Sequence, residues 1–389
     1  MRAEAFACPE LEAARGIAPR LAARAREFEL ARKVRPELMQ EMFAAGMVQM
    51  AVPAIYGGRE SRLSDTLRVI EAIAWGDASA AWCLMNYQTT AFVSGLMRPA
   101  AAEAVFGGAE HAVPAGVLAP TARGRFVDGG LLVNGRWAFA SGCDHANWLL
   151  GTVVIEDVAG QPQTQADGTP QMLLPLFSRD QFTIIDNWHV SGLCASGSHD
   201  VEVLDAFVPA GRWLTLADPL VIDTPLYRFP ILSTFPPCVA MVSLGTARAA
   251  LDCLVELSRR KTPAGGTTPL RDRASAQIDV AQAEAMIDAA RAYLLETVEA
   301  LWRDVERGLP PTVDARRRIR LAGTHAASVA VDAVTRLYKA GGATSIALDC
   351  PLQRHLRDAL AVSQHLQVSS AGFERMGRLR LTDAVVGPL

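Results

Sequence analysis

The chain has no Cys-x-x-Cys pair, no run of five or more lysines and arginines, and no Gly-x-Gly-x-x-Gly fingerprint. Its seven cysteines, at positions 8, 83, 143, 194, 238, 253 and 350, are scattered and odd in number. That argues against a zinc site or a disulfide framework and fits a reducing cytosol. The missing glycine fingerprint removes the usual sign of nicotinamide binding. The formal net charge is only -3, which speaks against electrostatic binding of nucleic acid. The opening segment, "MRAEAFACPELEAARG", has no signal-peptide core. No apolar run approaches the roughly 20 residues that span a bilayer. These absences predict a soluble, cytoplasmic protein with no metal, nucleic-acid or membrane partner.

What remains is ample for a large core: 389 residues, half of them hydrophobic. Three textures follow one another. Residues 1–111 read as helices, among them Leu11 to Leu30 and the Pro-initiated segment "PELMQEMFAAGM". "SDTLRVIEAIAWGD" and "SAAWCLMNYQTTAFVSGLM" follow, the second apolar nearly all round and so expected to be buried. Residues 112–228 alternate in strand fashion, with Asp-Gly-Gly and Asn-Gly punctuation that predicts hairpin turns, the second at Asn134-Gly135. Residues 229–389 return to long helices. One runs over thirty residues without Gly or Pro, and the last, "PLQRHLRDALAVSQHLQVSSAGFERMGRLRL", is expected to complete a four-helix bundle. The predicted class is α+β.

Three stretches are candidates for chemistry. In "NGRWAFASGCDHANW", Trp137, Phe139 and Ser141 alternate, so a strand would place them on one face. That gives either a flat apolar wall for a planar heterocycle or ordinary aromatic packing in a hairpin. In "NWHVSGLCASGSHDVEV", Ser196 and Ser198 lie in a small-residue loop, which either lets a ligand approach the backbone or simply turns the chain. Near the C-terminus, Gly341-Gly342 reads as a helix cap or a close-approach site. Beyond it, Gln353, Arg357, Asp358 and His365 share a helix, where Arg357-Asp358 fits a solvated face and a core histidine is the plainer reading of His365.

Taken in order, "GMVQMAVPAIYGG", "NGRWAFASG", "SGLCASGSHDVEVLDAFVP" and "GG…PLQRHLRD" resemble the acyl-CoA dehydrogenase superfamily over nearly the whole chain. The resemblance implies an N-terminal helical domain, a central β-barrel domain and a C-terminal four-helix bundle, in a homotetramer with flavin between barrel and bundle. The sequence departs from the dehydrogenases. The position eight residues after Asp358, where a catalytic glutamate is common, is Leu366. No carboxylate stands between Asp223 and Asp252, the other usual place. "ASGCDHANW" and His365 are instead similar to the two-component flavin-dependent monooxygenase branch, oxygenase component.

That branch implies reduced FAD or FMN delivered by a separate NAD(P)H:flavin reductase, with O2 as co-substrate. Oxygen would add at flavin C4a to give a hydroperoxide, and one atom would pass to an aromatic, phenol- or indole-like molecule. The alternatives are an acyl-CoA dehydrogenase with a displaced base, an N- or S-oxygenase, and a catalytically silent scaffold of the same fold. By the resemblance, His365 and Ser141 are catalytic, with Ser141 near flavin N5. Trp137, Phe139, Ser141, Gly142, Ser196, Ser198, Arg260, Arg271 (or Arg273), Gly341, Gly342 and Gln353 would hold the cofactor. Trp82, Asn86 and Tyr87, on the buried N-terminal helix, and His145 are candidates to line the substrate pocket, although core packing is the plainer reading of Trp82 and an Asp144–His145 hydrogen bond closing the hairpin that of His145.

Overall fold

The computed structural model describes residues 8–108 and 110–383. Five helices come first: α1 (Pro9–Ala31), α2 (Pro36–Ala44), α3 (Leu63–Gly76), α4 (Ala78–Ala91) and α5 (Pro99–Phe106). Pro9, Pro36 and Pro99 each open a helix in its first turn, where a missing N–H costs nothing. Asp77 caps α4 by accepting the Ala80 N–H at 2.8 Å. The helix it starts is buried along nearly all its length, as its unbroken apolar run requires.

Seven strands follow: β1 (Pro114–Val127), β2 (Gly130–Trp137), β3 (Trp148–Ile155), β4 (Met172–Ser178), β5 (Thr183–Ile185), β6 (Asp200–Pro209) and β7 (Trp213–Leu214). They form one mixed sheet in the order β5-β6-β2-β1-β3-β4-β7, with β1 and β3 parallel and every other pair antiparallel. The sheet curls far enough that β4 meets β6 and Trp137 on β2 packs against Phe177 on β4.

The β1–β2 turn falls at Asp128-Gly129, with Gly129 at φ +73°. The second expected turn does not exist. Asn134-Gly135 lies inside β2, where the pairing with β6 slips by a bulge. Asn134 fills the bulge by bonding the Asp205 backbone and carboxylate, and a Cβ on Gly135 would lie 2.3 Å from that of Ala122.

The C-terminal part holds α6 (Pro225–Arg228), α7 (Ile231–Arg260), α8 (Ala274–Glu306), α9 (Val313–Ala340), α10 (Pro351–Ser363) and α11 (Ala371–Thr382). Helix α7 packs on α3, α4, α9 and α10 at the centre of the molecule. It is long and apolar enough to cross a membrane, yet 78% of its most apolar window is buried inside the protein, as a core helix should be.

The final helix expected from the sequence is two helices. Ser363 turns its hydroxyl onto the Leu360 carbonyl, and the N–H groups of Val368 and Ser369 both go to the His365 carbonyl. Such local bonding competes with the helical ladder and ends α10. His365 therefore sits in a turn rather than on a helix wall.

Candidate active site

Two chain segments are zipped together beneath α4. The Ala140 N–H bonds the His199 carbonyl and the Gly142 N–H bonds the Ser196 carbonyl, both at 2.9 Å. Three buried side chains reinforce the seam. The thiols of Cys143 and Cys83 donate to the carbonyls of Gly197 and Ser196, and Tyr87 OH donates to the Gly142 carbonyl at 2.7 Å. Burial pushes the Tyr87 and Cys83 pKa values well up, so both stay protonated donors.

The seam brings three hydroxyls into line. Ser196 and Ser198 lie 2.7 Å apart, and Ser198 and Ser141 2.8 Å apart, all buried. Trp82 on α4 donates its indole N–H to Ser141 Oγ at 2.8 Å. The other side of Trp82 meets His365 edge-to-face, with ring centroids 5.4 Å apart. Burial, with Arg320 adding its charge, pushes the His365 pKa down to about 4, so the ring is neutral near pH 7. Among the described residues, no carboxylate bonds Ser141, Ser198, Trp82 or His365.

The single-face wall of Trp137, Phe139 and Ser141 does not form. Strand β2 ends at Trp137, whose ring is wholly enclosed by the sheet and whose N–H goes to the Thr152 carbonyl. Phe139 then takes φ +63°, which throws its ring outward to 68% exposure. There it meets Trp188 edge-to-face at 5.8 Å. Trp188 is fixed from three sides. Its backbone N–H and that of Asn187 donate to His199 Nδ1, and its indole N–H donates to the Leu193 carbonyl.

The remaining pocket candidates separate. Asn86 exchanges two hydrogen bonds with the backbone of Gly116, serving β1, and also faces a cavity of about 30 Å³ beside Thr90, Leu118 and Phe235. Tyr87 is fully enclosed. His145 is not bonded to Asp144, which instead pairs with Lys33 at 3.3 Å and faces His199 Nε2 at 3.7 Å. Burial pushes the His145 pKa down to about 4, and its Nε2 has no partner among the described residues. Of the four, Trp82 alone contacts both Ser141 and His365.

Helix α10 clamps the serine loop. Asp358 accepts the Leu193 N–H at 2.7 Å, while Arg357 donates to the Ser191 carbonyl and pairs with Glu29 of α1. Between them Gly192 lies so close to the Arg357 carbonyl that a Cβ would stand 2.2 Å away. Arg357-Asp358 is thus not a solvated face. Asp358 is buried, and desolvation pushes its carboxyl up to about 7. Sequence reasoning also passed over Trp188 and His199. The only available signal was their place at either end of a polar loop.

The other cofactor candidates lie elsewhere. Gly341 and Gly342 end α9, where Lys261 donates to the Gly341 carbonyl and to Thr344. Gln353 accepts from Arg357 near the start of α10. Arg260 is exposed beside Glu256, lining a groove of about 630 Å³ with Trp75 and Thr344. Arg271 pairs loosely with Asp272, and Arg273 donates to the Thr268 carbonyl. Arg320, which touches the His365 turn, precedes Gly341 by 21 positions on the same helix, roughly 30 Å along its axis. The structure therefore places Gly341 far from the His365 turn within one protomer, while Gln353 joins the α10 clamp on the serine loop through Arg357.

The Ser141 cluster suits a planar heterocycle. An exposed phenyl ring is held at a conformation that non-glycine residues rarely adopt, beside a pinned indole. A line of hydroxyls stands at its inner end and an imidazole beyond.

Comparisons with known proteins agree with this architecture. Residues 11–104 match the acyl-CoA dehydrogenase N-terminal domain family and residues 237–370 the acyl-CoA dehydrogenase C-terminal domain family. The chain is 32% identical to an indole-3-acetate monooxygenase of Pseudomonas putida, over 92% of this chain and 90% of that one. It is 29% identical to the oxygenase component of an FADH2-dependent resorcinol hydroxylase of a Rhizobium species, over 91% and 89%. Among solved structures, XiaF from Streptomyces in complex with FADH2 and glycerol superposes with a TM-score of 0.88 at 25% identity, over 97% and 96%.

Proposed function

Because this chain belongs to the acyl-CoA dehydrogenase family, we propose from its site that it is the oxygenase component of a two-component flavin-dependent monooxygenase. It inserts one atom of O2 into an aromatic small molecule of phenol or indole type. The observation that carries this reading is the Ser141–Trp82–His365 constellation, to which no carboxylate among the described residues is bonded. A dehydrogenase needs a general base beside its thioester substrate. Here the residue eight beyond Asp358 is Leu366, 70% exposed, and Asp223 is exposed in a pair with Arg228.

Reduced FAD or FMN, when bound, supplies the electrons and the activation of oxygen. The chain's own residues bind, orient and shield. Phe139 and Trp188 would cover the ring face. Ser141 would meet its edge: it already accepts the Trp82 N–H and keeps its own proton to share with Ser198 or with the bound ring. Trp82 and His365 close the inner side with an indole and a neutral imidazole, which excludes water and limits unproductive loss of peroxide. The nearby lining of Thr90, Leu118 and Phe235 carries no charge, which fits a largely apolar substrate.

A separate NAD(P)H:flavin reductase would supply the reduced cofactor, and the seven free thiols fit a reducing cytoplasm. The roughly 30 Å between Arg320 and Gly341 leaves the Gly341 end apart from His365, and a homotetramer is what the family resemblance suggests. In it, Gly341, Gly342, Gln353 and the arginines near the α7–α8 loop would serve the nucleotide end of flavin bound on a neighbouring copy.

The test supplies chemically reduced FAD or FMN and O2 with a panel of indoles and phenols. Hydroxylated product without any nicotinamide is expected. Bleaching of a tightly bound oxidised flavin by an acyl-CoA would overturn the reading.

A further inference from the structure

The turn carrying His365 is held from α9. Arg320 Nη2 donates to the Leu366 carbonyl at 2.7 Å, and Nη1 donates to the side-chain oxygen of Gln367. The Gln367 backbone N–H in turn donates to His365 Nδ1 at 3.3 Å. Arg320 is a poor choice for mere packing. It is 93% buried, pairs with no carboxylate among the described residues, and leaves its Nε without a partner. A guanidinium in that state is expensive to bury.

A neutral imidazole carries one proton, and the bond made by one ring nitrogen decides where it sits. With Nδ1 accepting from Gln367, the proton is placed on Nε2. No described residue bonds that Nε2. Among the described residues the charge that acts on the ring is that of Arg320 from α9, on which Arg375 from α11 acts in turn. Helix α4 presents the indole of Trp82 to the ring.

We propose that Arg320 is a positioning residue that acts through the Leu366 carbonyl and Gln367 to fix His365 as an Nε2–H hydrogen-bond donor. In the reaction His365 then donates a hydrogen bond to the oxygen being transferred or to the substrate, and does not strip a proton from the substrate. That role rests on the oxygenase reading; the tautomer does not. The neutrality of the ring, held by burial and by Arg320, supports the same picture.

The experiment is nitrogen NMR of the full chain labelled with 15N in its histidine rings, with His365 assigned by its loss in His365→Asn. The wild-type ring is expected to be neutral at pH 7 with its proton on Nε2, and to stay so down to about pH 5. Arg320→Met is expected to mix the tautomers and move the titration toward about 6.5, and Arg320→Lys to restore most of the preference. Gln367→Ala, at a half-buried position, should act in the same direction if Arg320→Met does not fold. A wild-type ring protonated on Nδ1, or cationic at pH 7, overturns the proposal; so does a wild-type spectrum in both Arg320→Met and Gln367→Ala. The expected spectrum in a protein that oxygenates no aromatic compound would defeat the proposed function and leave the Arg320 assignment standing.

Discussion

The indole N–H of Trp82 donates to Ser141 Oγ over 2.8 Å, and the same ring meets His365 edge-to-face. One residue of the N-terminal helices thereby ties the sheet's hydroxyl chain to the bundle's imidazole. Trp82→Phe keeps most of the ring packing and removes the N–H. It should cost about 1 kcal/mol of stability, the usual value of one hydrogen bond. Product formed per reduced flavin should fall severalfold and released peroxide rise to match. Peroxide and product assays in the same reaction check this; unaltered coupling would detach Trp82 from the site.

Ser141→Ala removes the central hydroxyl and leaves Ser198 with Ser196 alone. We expect weaker retention of reduced flavin and a larger share of oxygen lost as peroxide, with the thermal midpoint within a few degrees of wild type. Equal coupling in the two proteins would reject the assigned contact.

Phe139→Ala separates binding from folding. The ring is two-thirds exposed, so its loss should change stability by less than about 0.5 kcal/mol. Flavin affinity, followed by anaerobic titration with FADH2 or FMNH2, should drop severalfold. Unchanged affinity would show that the exposed ring covers nothing.

Asp358 gives a pH signature. Its folded-state pKa is pushed from 3.8 up to about 7, chiefly by burial, so between about pH 4 and pH 7 the folded chain holds a proton the unfolded chain has lost. Stability from this group must therefore fall as pH rises through that window, at no more than about 1.4 kcal/mol per pH unit. Asp77, raised to about 6, works in the same direction, while neutral His145, His355 and His365 oppose it as pH falls below their unfolded values. The clean measurement is the difference between wild type and Asp358→Asn. The advantage of wild type should shrink from pH 5 to pH 8. A difference that grows would mean the buried carboxyl is ionised throughout.

The fold was largely legible because its signals are local. Proline at helix starts, the unbroken apolar face of α4 and the Asp128-Gly129 turn each act over a few residues. The errors arose where tertiary contacts decide. Asn134-Gly135 has turn chemistry, yet the pairing of β2 with β6 makes it a bulge. Alternation through Trp137, Phe139 and Ser141 predicts one face only if the strand continues, and it stops at Trp137. The candidate site was half visible. Ser141, Ser198 and His365 stood out by type and resemblance. Arg320, Trp188, His199 and Asp358 act through partners between 11 and 165 positions away, as the Trp188–His199 and Leu193–Asp358 bonds show, and nothing in a linear reading joins them.

Oxygenation with isotopic dioxygen is the most direct test of the central claim. The protein receives externally reduced flavin, an indole or a phenol, and 18O2, and the product is weighed by mass spectrometry. One 18O atom per product molecule is predicted, with none taken from water. Product that carries oxygen from water, or oxidation of an acyl thioester with no oxygen incorporated at all, would contradict it.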